Sequence, residues 1–320
     1  MIVKKFDLKN DLEKLEEYLR NQYLENKNMT SWLPERLHDL IYRMDIQYTE
    51  AGKEKSSDYI FIWEEQDEIV GCILPDGDAI YMSIKKGYEE IYESMIDYSI
   101  EKCSPLFEKD NDGNIDFLVI ANNSETYRKE VLEKLGFTKQ QEEDYDNYVY
   151  PMKTELTIDL PHGFKLVYGT DYENELNKWS ACNMGFHPEL ESPDYKNGMN
   201  PYHNRKNSSM YSDSFECIVI DENSSETNNV CSYSFTYVDK KSKTALVEPV
   251  STREKYRHKG IGTAMMHGII LKCKELGIEK CYVNSYDWRK KFYNKAGFIT
   301  EDSIGFYHKQ INKKDKEQTE

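Results

Sequence analysis

The sequence predicts a mixed α/β protein built from two tandem copies of one unit. The chain has 320 residues, which is enough for about two domains of ordinary size. Both halves show the same order of helical and strand-like segments. The segments 127–137 and 288–298 read YRKEVLEKLGF and WRKKFYNKAGF, and five of their eleven positions are identical. An internal duplication accounts for these observations together.

In the first half, segments with helical periodicity alternate with short apolar runs. Leu12, Leu15, Leu19 and Tyr23 recur every three or four positions, which predicts an amphipathic helix. Short apolar runs bounded by polar residues predict strands. The predicted helices are 8–24, 34–48, 88–103 and 126–135, and the predicted strands are 59–64, 69–75, 79–84 and 115–122. Gly136 suits the left-handed position that often ends a helix.

The second half repeats this order. Met266, Ile269, Ile270 and Cys273 share one face of a predicted helix. The polar segments 222–229 and 239–243 separate strand-like runs. The predicted helices are 173–182, 262–276 and 288–296, and the predicted strands are 215–221, 230–238, 244–250 and 280–285. The predicted boundary between the units falls in 151–161, which gives domains 1–153 and 154–312 and a charged tail 313–320.

The net charge of −16 lies entirely in the first half, because residues 151–320 contain 24 acidic and 24 basic residues. This charge argues against nucleic acid as a partner, since phosphate backbones attract basic surfaces. An acidic half favours a cationic ligand, although acidic surface also serves solubility alone. The segment 253–295 is locally basic and favours an anionic ligand.

The location and redox state are predicted from what the chain lacks. No apolar run approaches about 18 residues, so no membrane partner is expected. The N-terminus has no apolar leader segment, which predicts a cytoplasmic protein. The seven cysteines form no CxxC pair and are expected to be reduced core thiols. His and Cys do not cluster at ligand spacing, so no metal is expected.

One loop stands out as a binding site for an anion. Residues 257–262 read RHKGIG, follow a predicted strand and open a predicted helix. Small residues let the backbone approach a phosphate, and the helix N-terminus favours negative charge. A dinucleotide fingerprint is disfavoured because Met265 stands where its third glycine would be. A structural turn with incidental charge remains an alternative, and the third interpretation is an R-x-x-G-x-G pyrophosphate loop.

The sequence resembles the GNAT superfamily of N-acyltransferases around this loop. The strand EPVST at 248–252, the loop and helix start YRHKGIGTA at 256–264, and FYNKAGF at 292–298 occur in that family's order and spacing. The resemblance implies that each copy has a central, mostly antiparallel sheet flanked by helices. It also implies acyl transfer from acetyl-CoA to an amine.

The resemblance implies a role for several individual residues. It implies cofactor contacts from Val250, Thr252, Arg257, His258, Lys259, Gly260, Ile261, Gly262, Thr263 and Asn284. A strand that splays there would leave N–H groups free for the thioester carbonyl. The phenol of Tyr293 corresponds to the group that protonates the departing thiolate. Its alternative role is that of a core tyrosine.

The reaction also needs a base, because an amine attacks only when it is neutral. Glu248 is the first candidate, since it lies in an otherwise apolar strand where burial would raise its pKa. An outward-facing or structural glutamate is the alternative. His187 and Asp287 are the reserve candidates. Transfer is expected to be direct, because no cysteine occupies a motif position.

The N-terminal copy lacks these cofactor-binding and catalytic motifs. Its strand–helix junction at 84–88 reads IKKGY, without R-x-x-G-x-G, and Leu132 stands in the place of Tyr293. We therefore expect a degenerate copy that either supports the catalytic one or forms a wall of its acceptor pocket.

The amine acceptor is expected to meet the segment 183–214, which is rich in aromatic residues. Phe186, His187 and Tyr202 are the candidate contacts, because aromatic rings bind cations. A tyrosine-rich surface loop is the alternative. A rival function for the whole chain is a non-catalytic acyl-CoA sensor or regulatory module.

Overall fold

The computed structural model describes residues 1–27, 29, 32–140, 145–152, 155–190 and 199–312. The chain divides into two compact units, one formed by Met1–Asn147 with the strand that continues from Glu301, and one formed by Tyr148–Thr300. This division differs from the predicted domains 1–153 and 154–312. The C-terminal strand of each sequence copy lies in the unit of the other copy. The predicted tail 313–320 is outside the described residues.

The first unit follows the predicted order of elements. Its helices are α1 (Leu8–Asn26), α2 (Pro34–Asp39), α3 (Asp45–Glu50), α4 (Tyr92–Cys103) and α5 (Thr126–Lys134). Its strands are β1 (Ile2–Lys5), β2 (Phe61–Glu65), β3 (Glu68–Asp76), β4 (Ala79–Ile84), β5 (Ile115–Asn122) and β6 (Thr138–Lys139). A π-helical turn, Leu40–Met44, joins α2 to α3, so the predicted helix 34–48 is present with one widened turn. Gly136 ends α5 with φ +83°, as predicted.

The sheet of the first unit is mostly antiparallel, which confirms the expected fold. The strand order is β1-β2-β3-β4-β5, and the chain's last strand, which begins in the second unit, lies beside β5 with Ile304 opposite Asn122. The pair β4 and β5 is parallel and meets only at Ile80 and Val119. These two strands therefore diverge towards their C-terminal ends. Separate apolar clusters cover the two faces of the sheet, one built on Leu19 and Leu37 and the other on Met95 and Leu132.

The second unit contains the remaining elements. Its strands are β7 (Tyr145–Pro151, from Tyr148 onward), β8 (Phe164–Tyr168), β9 (Cys217–Asp221), β10 (Val230–Asp239), β11 (Thr244–Thr252) and β12 (Lys280–Tyr286), and β13 (Ile299–Ile311) starts here and continues in the first unit. Its helices are α6 (Glu175–Phe186), α7 (Met199–Asn204), α8 (Ile261–Glu275) and α9 (Lys290–Lys295). The strand order is β7-β12-β11-β10-β9-β8.

In the sheet of the second unit, β8, β9, β10 and β11 are antiparallel to their neighbours in that series, and β11 and β12 run parallel. One face carries α8 and α9, with Met266, Ile270 and Tyr293 in the core. The other face carries α6 and α7, with Trp179 and Tyr233 in the core. No helix of the described residues is long and apolar enough to cross a membrane.

Candidate functional site

The centre of the candidate site is a local break in β11. Ser234 of β10 pairs with Val250, but Thr236 pairs with Val247, so Glu248 and Pro249 oppose the single residue between them and form a bulge. On its other side, β11 pairs with β12 only from Thr244 to Leu246, opposite residues 280–282. Beyond Leu246 the two strands diverge, as the resemblance implied for this strand. The divergence removes the ladder partner of the β11 backbone on that side.

The loop 257–262 ends next to this gap and begins α8. His258 and Gly260 have φ of +63° and +83°, so the backbone turns twice through the left-handed region before the helix starts. Successive turns of this kind point backbone N–H groups outward and bind anions. The N-cap of α8 is Gly260, which has no side chain to cap the first turn, and that turn contains no acidic residue. The N–H groups of the helix start are therefore left for a ligand.

Arg257 holds the loop to the rest of the unit with its side chain. Its Nε donates to the backbone oxygen of Thr252 at 3.1 Å, and a terminal nitrogen donates to the backbone oxygen of Gly185 at 2.5 Å. The guanidinium thus ties the end of α6 to the end of β11. This geometry leaves the backbone of Arg257, rather than its side chain, for the ligand.

Other basic side chains near the loop contact the ring of Tyr256 or the carboxylate of Glu226. The carboxylate of Glu226 pairs with Arg253 at 3.0 Å and also with Lys255. The ammonium of Lys259 lies 5.4 Å from the centre of the Tyr256 ring. His258 and Lys259 are exposed, so their charges face the solvent beside the helix N-terminus. This arrangement raises the positive potential at the site.

Tyr293 is buried on α9, with 3% of its surface exposed, and its ring stacks on Tyr148 at 4.7 Å. Burial raises the pKa of the Tyr293 phenol to about 12, and the negative charge of Glu248 acts in the same direction. The hydroxyl of Ser285 and the charge of Arg289 act against this shift. The phenol is therefore protonated throughout the neutral range. Core packing and a chemical role are both compatible with this position.

Glu248 lies in the bulge and is half-buried. Its charge acts on Tyr293, so the structure brings the two predicted catalytic residues within electrostatic reach of each other. Val250 and Thr252 follow on the diverging part of β11, and Asn284 lies on β12 beyond the last paired residue, Tyr282. These predicted cofactor contacts therefore surround the gap between the strands.

Three further residues shape the site but carried no signal in the sequence. A Cβ on Gly185 would lie 2.0 Å from the Ser251 hydroxyl and 3.0 Å from the Thr252 nitrogen, so only glycine lets α6 approach β11 this closely. The hydroxyl of Ser285 acts to lower the pKa of the Tyr293 phenol. Tyr148 comes from a strand that sequence reasoning assigned to the other domain.

The segment predicted to meet the acceptor is anchored by a buried carboxylate. Glu216 is fully buried and accepts hydrogen bonds from Lys178 at 2.7 Å, Tyr233 at 2.8 Å and Tyr202 at 3.0 Å. Arg205 and Tyr211 also donate to it. Because Tyr202 is fully buried and its hydroxyl is bound, its predicted place in an open acceptor pocket does not match the structure.

Phe186 and His187 lie at the accessible end of α6. Phe186 has 42% of its surface exposed, and His187 Nδ1 is 3.3 Å from a carboxylate oxygen of Glu189. Asp287, the other reserve base, is exposed just after β12. Tyr195 of the same predicted segment is outside the described residues.

All seven cysteines are buried, and none is in a disulfide. Within the described ranges, no group of three or more His, Cys, Asp or Glu side chains is arranged to hold a metal ion.

Comparisons with known proteins find a sequence match to part of the second unit and a likeness in fold to the whole chain. Residues 213–300 match the family model of the acetyltransferase (GNAT) domain, and this range contains the bulge, the loop, α8 and α9. No curated protein matches the chain.

Solved structures resemble the whole chain. A GCN5-related N-acetyltransferase from Sphaerobacter thermophilus has a TM-score of 0.62 at 11% identity, over 97% of this chain and 96% of that one. A GNAT-family acetyltransferase from Colwellia psychrerythraea has a TM-score of 0.56 at 10% identity, over 97% and 100%. A tandem GNAT protein from the clavulanic acid biosynthesis pathway has a TM-score of 0.52 at 10% identity, over 92% and 95%. These likenesses confirm the predicted tandem GNAT fold.

Proposed function

We propose, from the GNAT domain at residues 213–300, that this chain transfers an acetyl group from acetyl-CoA directly to a primary amine of a small cationic acceptor. The observation that carries the proposal is the divergence of β11 from β12 beside the uncapped start of α8. The gap offers backbone hydrogen bonds to an extended arm, and the helix start offers them to an anion. Acetyl-CoA carries both groups in one molecule.

The cofactor is proposed to lie along this path. The pyrophosphate would accept hydrogen bonds from the backbone between Arg257 and Gly262, with Thr263 following. The pantetheine arm would pair with β11 at Val250 and Thr252, opposite Asn284. A backbone N–H beside the bulge would hold the thioester oxygen and stabilise the negative charge that develops there.

The proton transfers are assigned to Glu248 and Tyr293. Glu248 takes a proton from the acceptor's ammonium, directly or through a water, so that the amine nitrogen can attack the carbonyl carbon. The carbon–sulfur bond then breaks, the sulfur takes the proton of the Tyr293 phenol, and the nitrogen releases its second proton to solvent as the amide forms. The phenol regains a proton from solvent, and the products are an N-acetyl amine and free CoA.

The acceptor is proposed to be cationic because of its surroundings. Phe186 is exposed at the end of α6, the helix that Arg257 ties to the loop. An exposed aromatic ring suits a positively charged amine, and the next residue, His187, lies beside the carboxylate of Glu189. The excess of acidic residues in the first half of the chain would raise the local concentration of such a molecule.

The experiment is a screen of amines with acetyl-CoA, in which release of the free CoA thiol is measured. Spermidine, glucosamine, lysine and a peptide with a free N-terminus represent the main classes. We expect thiol release with at least one of them and the corresponding N-acetyl product by mass spectrometry. CoA binding without thiol release for any class would instead support a non-catalytic acyl-CoA module.

Replacing Glu248 by glutamine tests the base. Glutamine keeps the shape of the side chain but does not accept the proton, so the rate near neutral pH is expected to fall by about 10²-fold or more. At high pH the amine loses its proton to solvent, so the variant should recover in part. Initial rates from about pH 6 to 10 measure this. The exposed Glu254→Gln variant is the matched control, and a Glu248→Gln profile parallel to wild type would show that Glu248 is structural.

A further inference from the structure

We propose that the first unit contains a separate binding site for a small organic cation with a primary amine. The site is a cavity of about 390 Å³ enclosed by the end of α1, the end of β4 and the starts of α4 and α5. Gln22, Glu25, Tyr81, Ser83, Tyr92 and Arg128 are among its lining residues. The cavity opens where β4 and β5 diverge after their single pair, Ile80 and Val119. This proposal does not depend on the function proposed for the second unit.

Two buried polar groups of the lining lack a partner. Gln22 has 5% of its surface exposed, and its side-chain amide makes no hydrogen bond within the described part of the chain. Tyr92 is fully buried, and its hydroxyl has no hydrogen-bond partner among the same residues. Buried polar groups are nearly always hydrogen-bonded, because an unmet group costs about 1–3 kcal/mol in a folded protein. The Tyr92 hydroxyl has almost no accessible surface and lies out of a ligand's reach, but Gln22 lines the cavity, and its unmet amide points to a polar ligand.

The chain's own carboxylates already occupy the sites in this cavity that would attract an anion. Glu89 accepts the N–H of Gly87 with both oxygens, at 2.9 and 3.1 Å, at the junction before α4. That N–H holds the pKa of the Glu89 carboxyl below its ordinary value. Glu125 accepts the N–H of Asn122 at 2.9 Å and pairs with Arg128 at 3.1 Å beside the start of α5. A polyanion such as CoA therefore meets negative charge here, in contrast to the acid-free first turn of α8.

The opposite wall carries the negative charge of Glu25, which also acts on the ammonium of Lys85. It is formed by the last turn of α1, which contains Glu25 and Asn26. This turn has no basic residue, and the carbonyl groups of a helix C-terminus favour a cation. Lys27 follows the helix but does not line the cavity. Lys86 is the other basic lining residue, and it is exposed at the rim.

The cavity therefore offers the carboxylate of Glu25, a helix C-terminus, and the unpaired side-chain amide of Gln22. A primary ammonium group satisfies the first two, because it is a compact cation with three donors. A hydroxyl or second amine on the same molecule would meet Gln22. The volume suits a small metabolite, since ligand pockets commonly begin near 300 Å³.

Calorimetric titration with spermidine, glucosamine and lysine as probes tests the site. We expect at least one probe to bind the wild type. Glu25→Gln and Gln22→Leu are each expected to weaken that binding by about tenfold, because each removes one polar contact to a charged ligand. Glu17→Gln, which changes an exposed acid elsewhere on α1, should leave it unchanged.

The proposal is overturned if none of the three probes binds, or if a probe binds equally well to wild type, Glu25→Gln and Gln22→Leu. Binding unaffected by these variants would belong to the acceptor site of the second unit. CoA is titrated into the same preparations and should bind all of them alike. A failure of CoA to bind would count against the proposed acetyl transfer and leave the result for the first unit intact. Because Glu25 is exposed, its variant also tests the site without disturbing the core.

Discussion

Replacing Tyr293 by phenylalanine is expected to lower turnover by about 10²–10⁴-fold, the usual contribution of a general acid. The ring is stacked on Tyr148 and packed against Phe298, so phenylalanine keeps its place in the core. Only the hydroxyl and its interaction with Ser285 are lost. Turnover should therefore fall far more than the apparent Michaelis constant for acetyl-CoA rises. Steady-state kinetics with an acceptor from the screen measure both.

The matched control is Tyr150→Phe, which removes a hydroxyl from another buried ring of the same core. It should leave turnover within about threefold of wild type, since surface and core hydroxyls away from the reacting atoms contribute little to rate. If Tyr293→Phe also changes turnover by less than threefold while chemistry limits the rate, Tyr293 is a packing residue and the sulfur takes its proton elsewhere.

Replacing Glu216 by glutamine is expected to lower the free energy of unfolding of the second unit by about 3–5 kcal/mol, the cost of breaking a buried ion pair by removing one partner. The change leaves the charges of Lys178 and Arg205 without their shared carboxylate, in a place with no solvent exposure. Urea denaturation followed by fluorescence measures the loss. Glu222→Gln removes an exposed carboxylate at the end of the neighbouring strand and is expected to cost little.

The effect of Glu216 should also depend on pH. Burial alone would raise the pKa of this carboxyl, but the charges of Arg205 and Lys178 lower it below the ordinary value. A folded-state pKa below the unfolded value of about 4.3 gives stability that is present above that pH. It is lost as the pH falls through the folded-state pKa. The difference between wild type and Glu216→Gln should therefore shrink below about pH 4, and a constant difference would contradict this account.

Much of the fold was predictable because it depends on local patterns. Helical periodicity located α1 and α8, and apolar runs located strands such as β3 and β5 within a few residues. The strands β1, β6, β7, β8 and β13 were missed; β1, for example, has only four residues, IVKK, without alternating polarity. The exchange of C-terminal strands was also missed. The sequence of a strand such as β7 can indicate that the strand is buried. It does not indicate which of two similar sheets the strand joins.

The site was predictable to the extent that a motif fixes backbone geometry. Gly260 and Gly262 marked the loop because small residues let a phosphate approach the backbone, and the loop lies at the start of α8 as expected. The bulge in β11 carries no local signal, since it depends on how β10 pairs with it. The sequence also gave no sign that the Tyr202 hydroxyl would donate a hydrogen bond to a buried carboxylate. Its partner Glu216 is distant enough in sequence that only the fold brings them together.

The most direct test of the central claim is calorimetric titration of CoA into wild type and Gly262→Val. A Cβ at Gly262 would lie 3.1 Å from both Phe292 and the Thr252 hydroxyl, so a valine side chain crowds the place where a ligand would approach the backbone. The matched control is Gly87→Asn at the corresponding junction of the first unit, where a Cβ has open space and asparagine tolerates the positive φ. Melting curves establish that each variant is folded. We predict one CoA per chain, weakened at least about tenfold by Gly262→Val and unchanged by Gly87→Asn. Two CoA molecules per chain, or full affinity in a folded Gly262→Val variant, would contradict the assignment of acetyl-CoA to the second unit.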